Sequence, residues 1–201
     1  MKKNMILTLA ATLTVLAFAA CQRAENQEQE TNEAYIDATS KTTWTYFSLS
    51  KGTVVGTGEE NDTDNALWAA RGDWDLAVCR YNVRTNSGAS SSTAAKGGVY
   101  VSKESFDSLK KLPKDASFAS DEIVTSKGMS GTTSVAQSMA TVITFMTNED
   151  GSKVMPPVYL KAPVYVFRTA DGAQYYTVEF TQYQDDNKET GHVKFQYARI
   201  Q

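Results

Sequence analysis

Residues 158–200 carry the pattern that most limits what this chain can become. Pro163-Val164-Tyr165-Val166-Phe167-Arg168 runs into Asp171-Gly172, and Gln174-Tyr175-Tyr176-Thr177-Val178-Glu179-Phe180-Thr181 follows with alternating faces. Two β-rich runs around an Asp-Gly pair predict an antiparallel hairpin, because Asp-Gly readily supplies the positive φ angles of a tight turn. Val158-Tyr159-Leu160 is strand-like just before it. A last strand is predicted over residues 192–200, after the polar turn Asp185-Asp186-Asn187-Lys188. Upstream, residues 42–49 and 98–101 read as strands, and residues 74–83 read as one strand that ends in Arg84-Thr85-Asn86-Ser87-Gly88. Lys51-Gly52 and Gly56-Thr57-Gly58 read as punctuation around Val54-Val55, and the Ser/Ala/Thr stretch 89–96 as loop. Residues 105–112 allow one or two helical turns before Pro113. The expectation is an all-β chain: a β-rich single domain over residues 37–201, with one or two minor helices and no internal repeat.

The first residues have a different character. Met1-Lys2-Lys3-Asn4 is short and basic, Met5 to Ala20 carries no charge, and Leu16-Ala17-Phe18-Ala19-Ala20 leads to Cys21. A basic start, an apolar stretch and small residues at the cut describe a signal peptide over residues 1–20. A cysteine directly after them marks a bacterial lipoprotein, with Cys21 as the lipid-bearing residue. Two or three acyl chains, at about 0.8 kcal/mol per buried CH₂, hold a protein on a membrane surface without spanning it. The apolar run is too short for a retained transmembrane helix, and no second one follows. Residues 21–36 are rich in Gln, Asn and Glu without apolar periodicity and are expected to form a flexible tether. Acidic residues behind a lipidated cysteine also occur in surface-exported lipoproteins of the Bacteroidetes type, so an outer-membrane, cell-surface location is expected, with release from the cell a further possibility.

Charge and residue counts exclude several functions. The formal charge of −3 becomes −5 once Lys2 and Lys3 leave with the signal peptide, which argues against nucleic acid as a partner. A single histidine, His192, and a single cysteine after Cys21, Cys79, leave no zinc site of the usual ligand types and no disulfide within the mature chain. A Ser-His-Asp or Cys-His site would have to use His192 without any nucleophile-elbow pattern or activated cysteine context to serve it. An enzyme is therefore not expected. His192 reads as an exposed strand-end residue and Cys79 as a small buried hydrophobe. Glu59-Glu60-Asn61-Asp62-Thr63-Asp64 lacks the spacing of a calcium loop and reads as solvated loop.

Four methionines remain beyond the signal peptide: Met129, Met139, Met146 and Met155. Met139 and Met146 lie in the apolar-rich run 135–146 and fit core packing. Met129, between glycines in Lys127-Gly128-Met129-Ser130-Gly131, and Met155, before Pro156-Pro157, fit it less well. Large flexible apolar side chains on loops point to a ligand surface or to contact with a soft metal.

Three blocks then bear on family. They are Thr43-Trp44-Thr45-Tyr46-Phe47-Ser48 with Lys51-Gly52, Trp74-Asp75-Leu76-Ala77 with Arg80 and residues 84–88, and residues 163–172. In this order behind Cys21, the chain resembles the HmuY family of haem-binding lipoproteins from Bacteroidetes. The resemblance implies an all-β domain that clamps one haem b (iron protoporphyrin IX). It implies a haemophore that takes haem from host haemoproteins and passes it to a TonB-dependent outer-membrane receptor. Members hold the iron by two histidines or by two methionines. One histidine excludes the first arrangement, so the resemblance carries the axial role onto Met129 and Met155, with Met146 in reserve for the second ligand and Met139 for the first. Residues 130–134 and the tyrosine-rich hairpin are the expected source of donors to the haem propionates. The competing expectation is a β-sandwich surface lipoprotein that binds glycan or protein through an aromatic platform of Trp44, Trp68 and Tyr159.

Overall fold

The computed structural model describes residues 29–128 and 131–201. In chain order the strands are β1 (Asn32–Asp37), β2 (Thr43–Ser48), β3 (Thr53–Glu59), β4 (Leu76–Cys79), β5 (Asn82–Thr85), β6 (Gly98–Val101), β7 (Glu122–Gly128), β8 (Gly131–Gln137), β9 (Ile143–Phe145), β10 (Tyr159–Lys161), β11 (Tyr165–Arg168), β12 (Tyr175–Gln184) and β13 (Thr190–Ile200), with one helix, α1 (Asp62–Ala69), between β3 and β4. The chain is all-β. An antiparallel five-stranded sheet runs β1-β13-β12-β11-β6, a four-stranded sheet runs β3-β2-β4-β5, and β7-β8 and β9-β10 are separate two-stranded ribbons.

Side-chain alternation explains how these pieces stack. Leu76 and Val78 of β4 enter one core cluster, whereas Ala77 and Cys79, one residue on, enter another. Strands β2, β11 and β13 split the same way, with Phe47, Phe167 and Phe195 facing the central cluster. Successive side chains of a strand point to opposite faces, so a strand covered on both sides is buried throughout. The central core lies between the two large sheets. A second cluster of Trp44, Tyr46, Trp68 and Trp74 lies beneath α1, and a third, with Phe106 and Leu109, covers the outer face of the five-stranded sheet.

Helix α1 occupies part of the stretch expected as solvated loop. Asn61 caps it by accepting from the Asp64 N–H at 2.9 Å, and Asp62 and Asp64 place negative charge in the first turn. The helix buries Trp68, whose ring stacks on Tyr46 with centroids 3.9 Å apart. Gly56 and Gly58 belong to strand β3 and do not break it. A Cβ at Gly58 would stand 2.5 Å from the Trp68 ring nitrogen, so glycine is what lets the indole lie on the strand.

Three other expectations shift. The tether ends earlier than residue 36: Asn32–Asp37 pairs with β13, and Ile36 is fully buried, which anchors a polar segment at one apolar point. Residues 74–83 are not one strand. Arg80, with φ 54°, turns the chain between β4 and β5, and its guanidinium donates to the carbonyls of Thr39 and Thr190. Residues 105–112 make turns, with the Leu109 N–H on the Ser105 carbonyl at 3.2 Å, but no helix. The hairpin around Asp171-Gly172 and the final strand stand as expected. Among the described residues no helix is long and apolar enough to cross a membrane. Residues 1–20, Cys21 and the tether up to residue 28 lie outside the described residues.

Candidate functional site

The two-stranded ribbons are where the protein breaks its own rule of burial. Of ten large hydrophobic residues exposed among the described residues, seven lie between Ile123 and Leu160. On β7, Ile123 is 60% exposed and Val124 38%, on a strand that no sheet covers. The ribbon is fixed at its base, where the Arg84 Nε donates to the Ala136 carbonyl at 2.6 Å and Val135 packs against the tryptophan cluster. Towards Gly128 and Gly131, which pair across the ribbon, its residues are polar and exposed.

The second ribbon carries methionines. Met146 follows β9, and its backbone N–H donates to the Val158 carbonyl at 3.0 Å. The Val154 N–H donates back to the Met146 carbonyl at 3.0 Å, so Met155 is held on the same ribbon. Met155 is 76% exposed and Met146 42%. Met139 lies between the ribbons and is 59% exposed, next to Ser138 and Ala140, which are buried. The expectation that Met139 and Met146 fill the core is therefore overturned: Ala140, Val142 and Ile143 do the packing in that run. Met129 lies outside the described residues; in the sequence it sits between the paired Gly128 and Gly131. The structure thus brings Met146 and Met155 together on one ribbon, with Met139 on the connection to the other.

Beneath the second ribbon lies an aromatic cluster. Phe145 meets Tyr81 edge-on at 5.0 Å and Tyr159 at 5.7 Å, and Tyr159 meets Tyr183 at 5.3 Å. Lys153, between Met146 and Met155 in the chain, sets its ammonium 3.6 Å from the Phe145 ring centre. Alongside is an open cleft of about 350 Å³, lined by Ile143, Tyr159, Leu160, Phe180 and Tyr183 among others. Small-ligand sites span about 300–1,000 Å³, so this cleft is at the small end. Lys161 borders it and reaches Glu179 at 2.6 Å. The cleft, the aromatic cluster and Lys153 were not singled out from the sequence. The signal was there in the strand alternation of residues 143–145 and 159–161, but their packing partners, Tyr81 and Tyr183, come from β-turn and β12 positions far away in the chain.

Other expected site residues are placed as follows. Trp44 and Trp68 are 1% and 4% exposed, one in β2 and one in α1, so they cannot form a surface platform with Tyr159. Residues 131–134 are the start of strand β8 and exposed, with Thr125 and Ser134 hydroxyls 2.9 Å apart across the ribbon. Cys79 is buried, and burial pushes its thiol up to about 11, so it is inert. His192 is half-buried and not simply exposed, with Nδ1 2.8 Å from the Tyr35 hydroxyl.

Such a surface offers exposed thioether, aliphatic and aromatic side chains beside a cleft bordered by Lys161. A sequence profile described as HmuY protein matches residues 40–197. Solved structures share the fold. A candidate lipoprotein from Bacteroides fragilis NCTC 9343 superimposes with a TM-score of 0.61 at 21% identity, covering 86% of this chain and 91% of that one. A candidate HmuY-like haem-binding protein from Bacteroides vulgatus ATCC 8482 gives 0.59 at 23% identity, over 85% and 92% of the two chains. The apo HmuY analogue TFO of Tannerella forsythia gives 0.58 at 24% identity, over 88% and 100%. No curated protein sequence matches the chain.

Proposed function

Since the chain belongs to the HmuY family, we propose that it is a haem-binding surface lipoprotein that holds haem b between methionines of the two ribbons and carries it as cargo. The observation that carries this reading is the exposure of Met139, Met146 and Met155 on and between ribbons that also expose Ile123, Val124 and Leu160. Large apolar side chains held in water over a contiguous region are costly unless something covers them.

Axial ligands reach an iron from opposite faces of a flat ring. Met146 and Met155 ride one ribbon, so one ligand from each ribbon answers that need better than two from the same one. Met155 on the second ribbon and Met129, which the sequence sets between Gly128 and Gly131, form the proposed pair, with Met146 and Met139 as reserves. Thioether sulfur is a soft, neutral ligand that favours ferrous iron and raises its potential. Lys153, now over the Phe145 ring, and Lys161, once it leaves Glu179, are the proposed cations for carboxylate groups at the edge of the ring. With both axial positions filled no coordination site is left for oxygen activation, and the protein acts as a carrier and not as an enzyme.

In this reading the acylated Cys21 anchors the domain to the outer membrane, facing out, with host haemoproteins as the haem source and a TonB-dependent receptor as the destination. Mixing the protein with ferric haemoglobin tests the capture step. The carrier reading expects the haemoglobin Soret band to give way to that of a new complex. A haemoglobin spectrum unchanged at excess protein, with free haem also unbound, overturns it.

A further inference from the structure

The sole histidine of the chain stands at a second site, away from the two ribbons, where the β12–β13 turn meets strand β1. Three donor atoms converge there. His192 Nε2 lies 4.0 Å from Asp185 Oδ2 and 3.8 Å from Glu189 Oε2, and one ligand atom from each of the three residues lies within 4.8 Å of the other two.

The state of the imidazole makes this more than a group of acids at a turn. Nε2 is shut off from solvent and has no hydrogen-bond partner among the described residues. Its distances to the two carboxylates are too long for hydrogen bonds. The other ring nitrogen is engaged, with Nδ1 2.8 Å from the Tyr35 hydroxyl and the two rings stacked at 6.2 Å. When Nδ1–H donates to that hydroxyl, Nε2 presents its lone pair to the gap between the carboxylates. Metal-bound histidines are held in this way, the far N–H fixed by an outer partner.

The Asp185 carboxylate is positioned independently of any ion. Asp185 Oδ1 accepts from the N–H groups of Asn187 at 3.0 Å and Glu189 at 2.7 Å, which closes the turn, while Oδ2 accepts from the Asn187 side-chain amide at 3.2 Å and faces the histidine. Asp37 stands opposite His192 in the β1–β13 register but spends its Oδ1 on Thr39. Burial and the charges of Asp37, Asp185 and Glu189 raise the Tyr35 phenol, which keeps it a neutral hydroxyl and shows how negative the locality is. Cationic groups are fewer: Arg80 reaches the Thr190 carbonyl and hydroxyl and not the carboxylates.

We propose that Asp185, Glu189 and His192 form a binding site for a zinc-class divalent cation, separate from the haem site, with Tyr35 as the positioning residue for the imidazole. One nitrogen and two carboxylates suit zinc, whereas calcium takes oxygen ligands. Bonds about 2.0–2.2 Å long meeting at a tetrahedral angle put donor atoms roughly 3.4 Å apart, so the imidazole and each carboxylate must close by about half an ångström, and the exposed Glu189 side chain swings in to complete the set. The remaining coordination position is open to water. An ion there fastens the β12–β13 turn to the imidazole that β1 holds through Tyr35.

The test is a titration of the haem-free full chain with zinc chloride, followed by calorimetry and by the imidazole NMR signals, which one histidine makes unambiguous. Saturation at one zinc per chain, with the His192 signals shifting in step, is expected. Glu189→Gln, at a side chain two-thirds exposed and free of packing duties, is expected to weaken binding by about tenfold or more. Tyr35→Phe is expected to weaken it about ten- to hundredfold while the three ligands remain. Calcium chloride should leave the signals in place. No saturable zinc binding, or equal binding by wild type, Glu189→Gln and His192→Gln, overturns the proposal and leaves His192 in a plain ion-pair cluster.

Discussion

The Met146 carbonyl accepts the Val154 N–H at 3.0 Å, which closes the chain segment between β9 and β10 so that Met155 returns beside Met146. With the Met146 N–H on the Val158 carbonyl, that bond keeps two exposed thioethers on the second ribbon, and it explains why a segment ending in Pro156-Pro157 does not trail away.

Met155→Ala should separate binding from folding. Met155 is 76% exposed, and substitutions at such sites change stability by no more than about 0.5 kcal/mol. Haem affinity is expected to fall by about tenfold or more, equivalent to about 1.4 kcal/mol. Met146→Ala should have a smaller effect on affinity. Thermal melts and haem titrations of both variants decide it, and the reverse order would make Met146 the ligand.

Asp121 sets a pH dependence of stability. It is 3% exposed and accepts from the Thr85 N–H and from the hydroxyls of Thr85 and Ser90. Burial nonetheless wins over those bonds and over Arg84, and raises the carboxyl from 3.8 to about 6. The folded state therefore holds this proton more tightly than the unfolded chain does. Its contribution is full below about pH 4 and is lost as pH rises through about 6, a change on the order of 3 kcal/mol. Asp37 and Asp73, whose carboxyls are lowered, act in the opposite sense, so the measurement is a difference. Unfolding free energy of wild type relative to Asp121→Asn should decline between pH 4 and pH 7.

Asp75→Ala should loosen the joint between the two large sheets. Asp75 Oδ2 accepts from the Leu49 N–H at 2.8 Å, and Oδ1 from the Ala170 N–H at 2.9 Å, across 95 residues of chain. Each orphaned buried N–H costs about 1–3 kcal/mol, and removal of a carboxylate whose burial raises its pKa returns part of that. A net loss of about 2–4 kcal/mol is expected, which in a chain of this size lowers Tm by about 5–15 °C.

Cys79 should resist alkylation while the protein is folded. With its thiol pushed up to about 11, about one molecule in a thousand is thiolate at pH 8, and the sulfur is buried as well. Iodoacetamide followed by peptide mass mapping should find Cys79 unmodified in native protein and modified in urea.

What the sequence revealed depended on whether the information was local. The Asp171-Gly172 hairpin and the strand ending at Ile200 could be read directly, because turn chemistry and alternation lie within a few residues. The β4–β5 turn was hidden, since it rests on Arg80 in a left-handed conformation, held by carbonyls from Thr39 and Thr190. Helix α1 was hidden among acids that proved to be a cap and a first turn. Trp44 and Trp68 looked like platform residues until the fold stacked Trp68 on Tyr46 and put Arg84 over Trp44 at 3.9 Å. For the methionines, residue type pointed to a ligand surface, but composition placed Met139 and Met146 in the core. Their exposure follows from where the chain leaves each ribbon, which no short-range pattern encodes.

A haem titration of the apo chain, followed by absorbance in the ferric state and again with dithionite, tests the central claim most directly. The account predicts saturation at one haem per chain, a low-spin ferrous spectrum and tighter binding of ferrous than ferric haem, as thioether ligation requires. Equal affinity in both states would contradict methionine coordination, and no saturable Soret shift in either state would contradict haem binding itself.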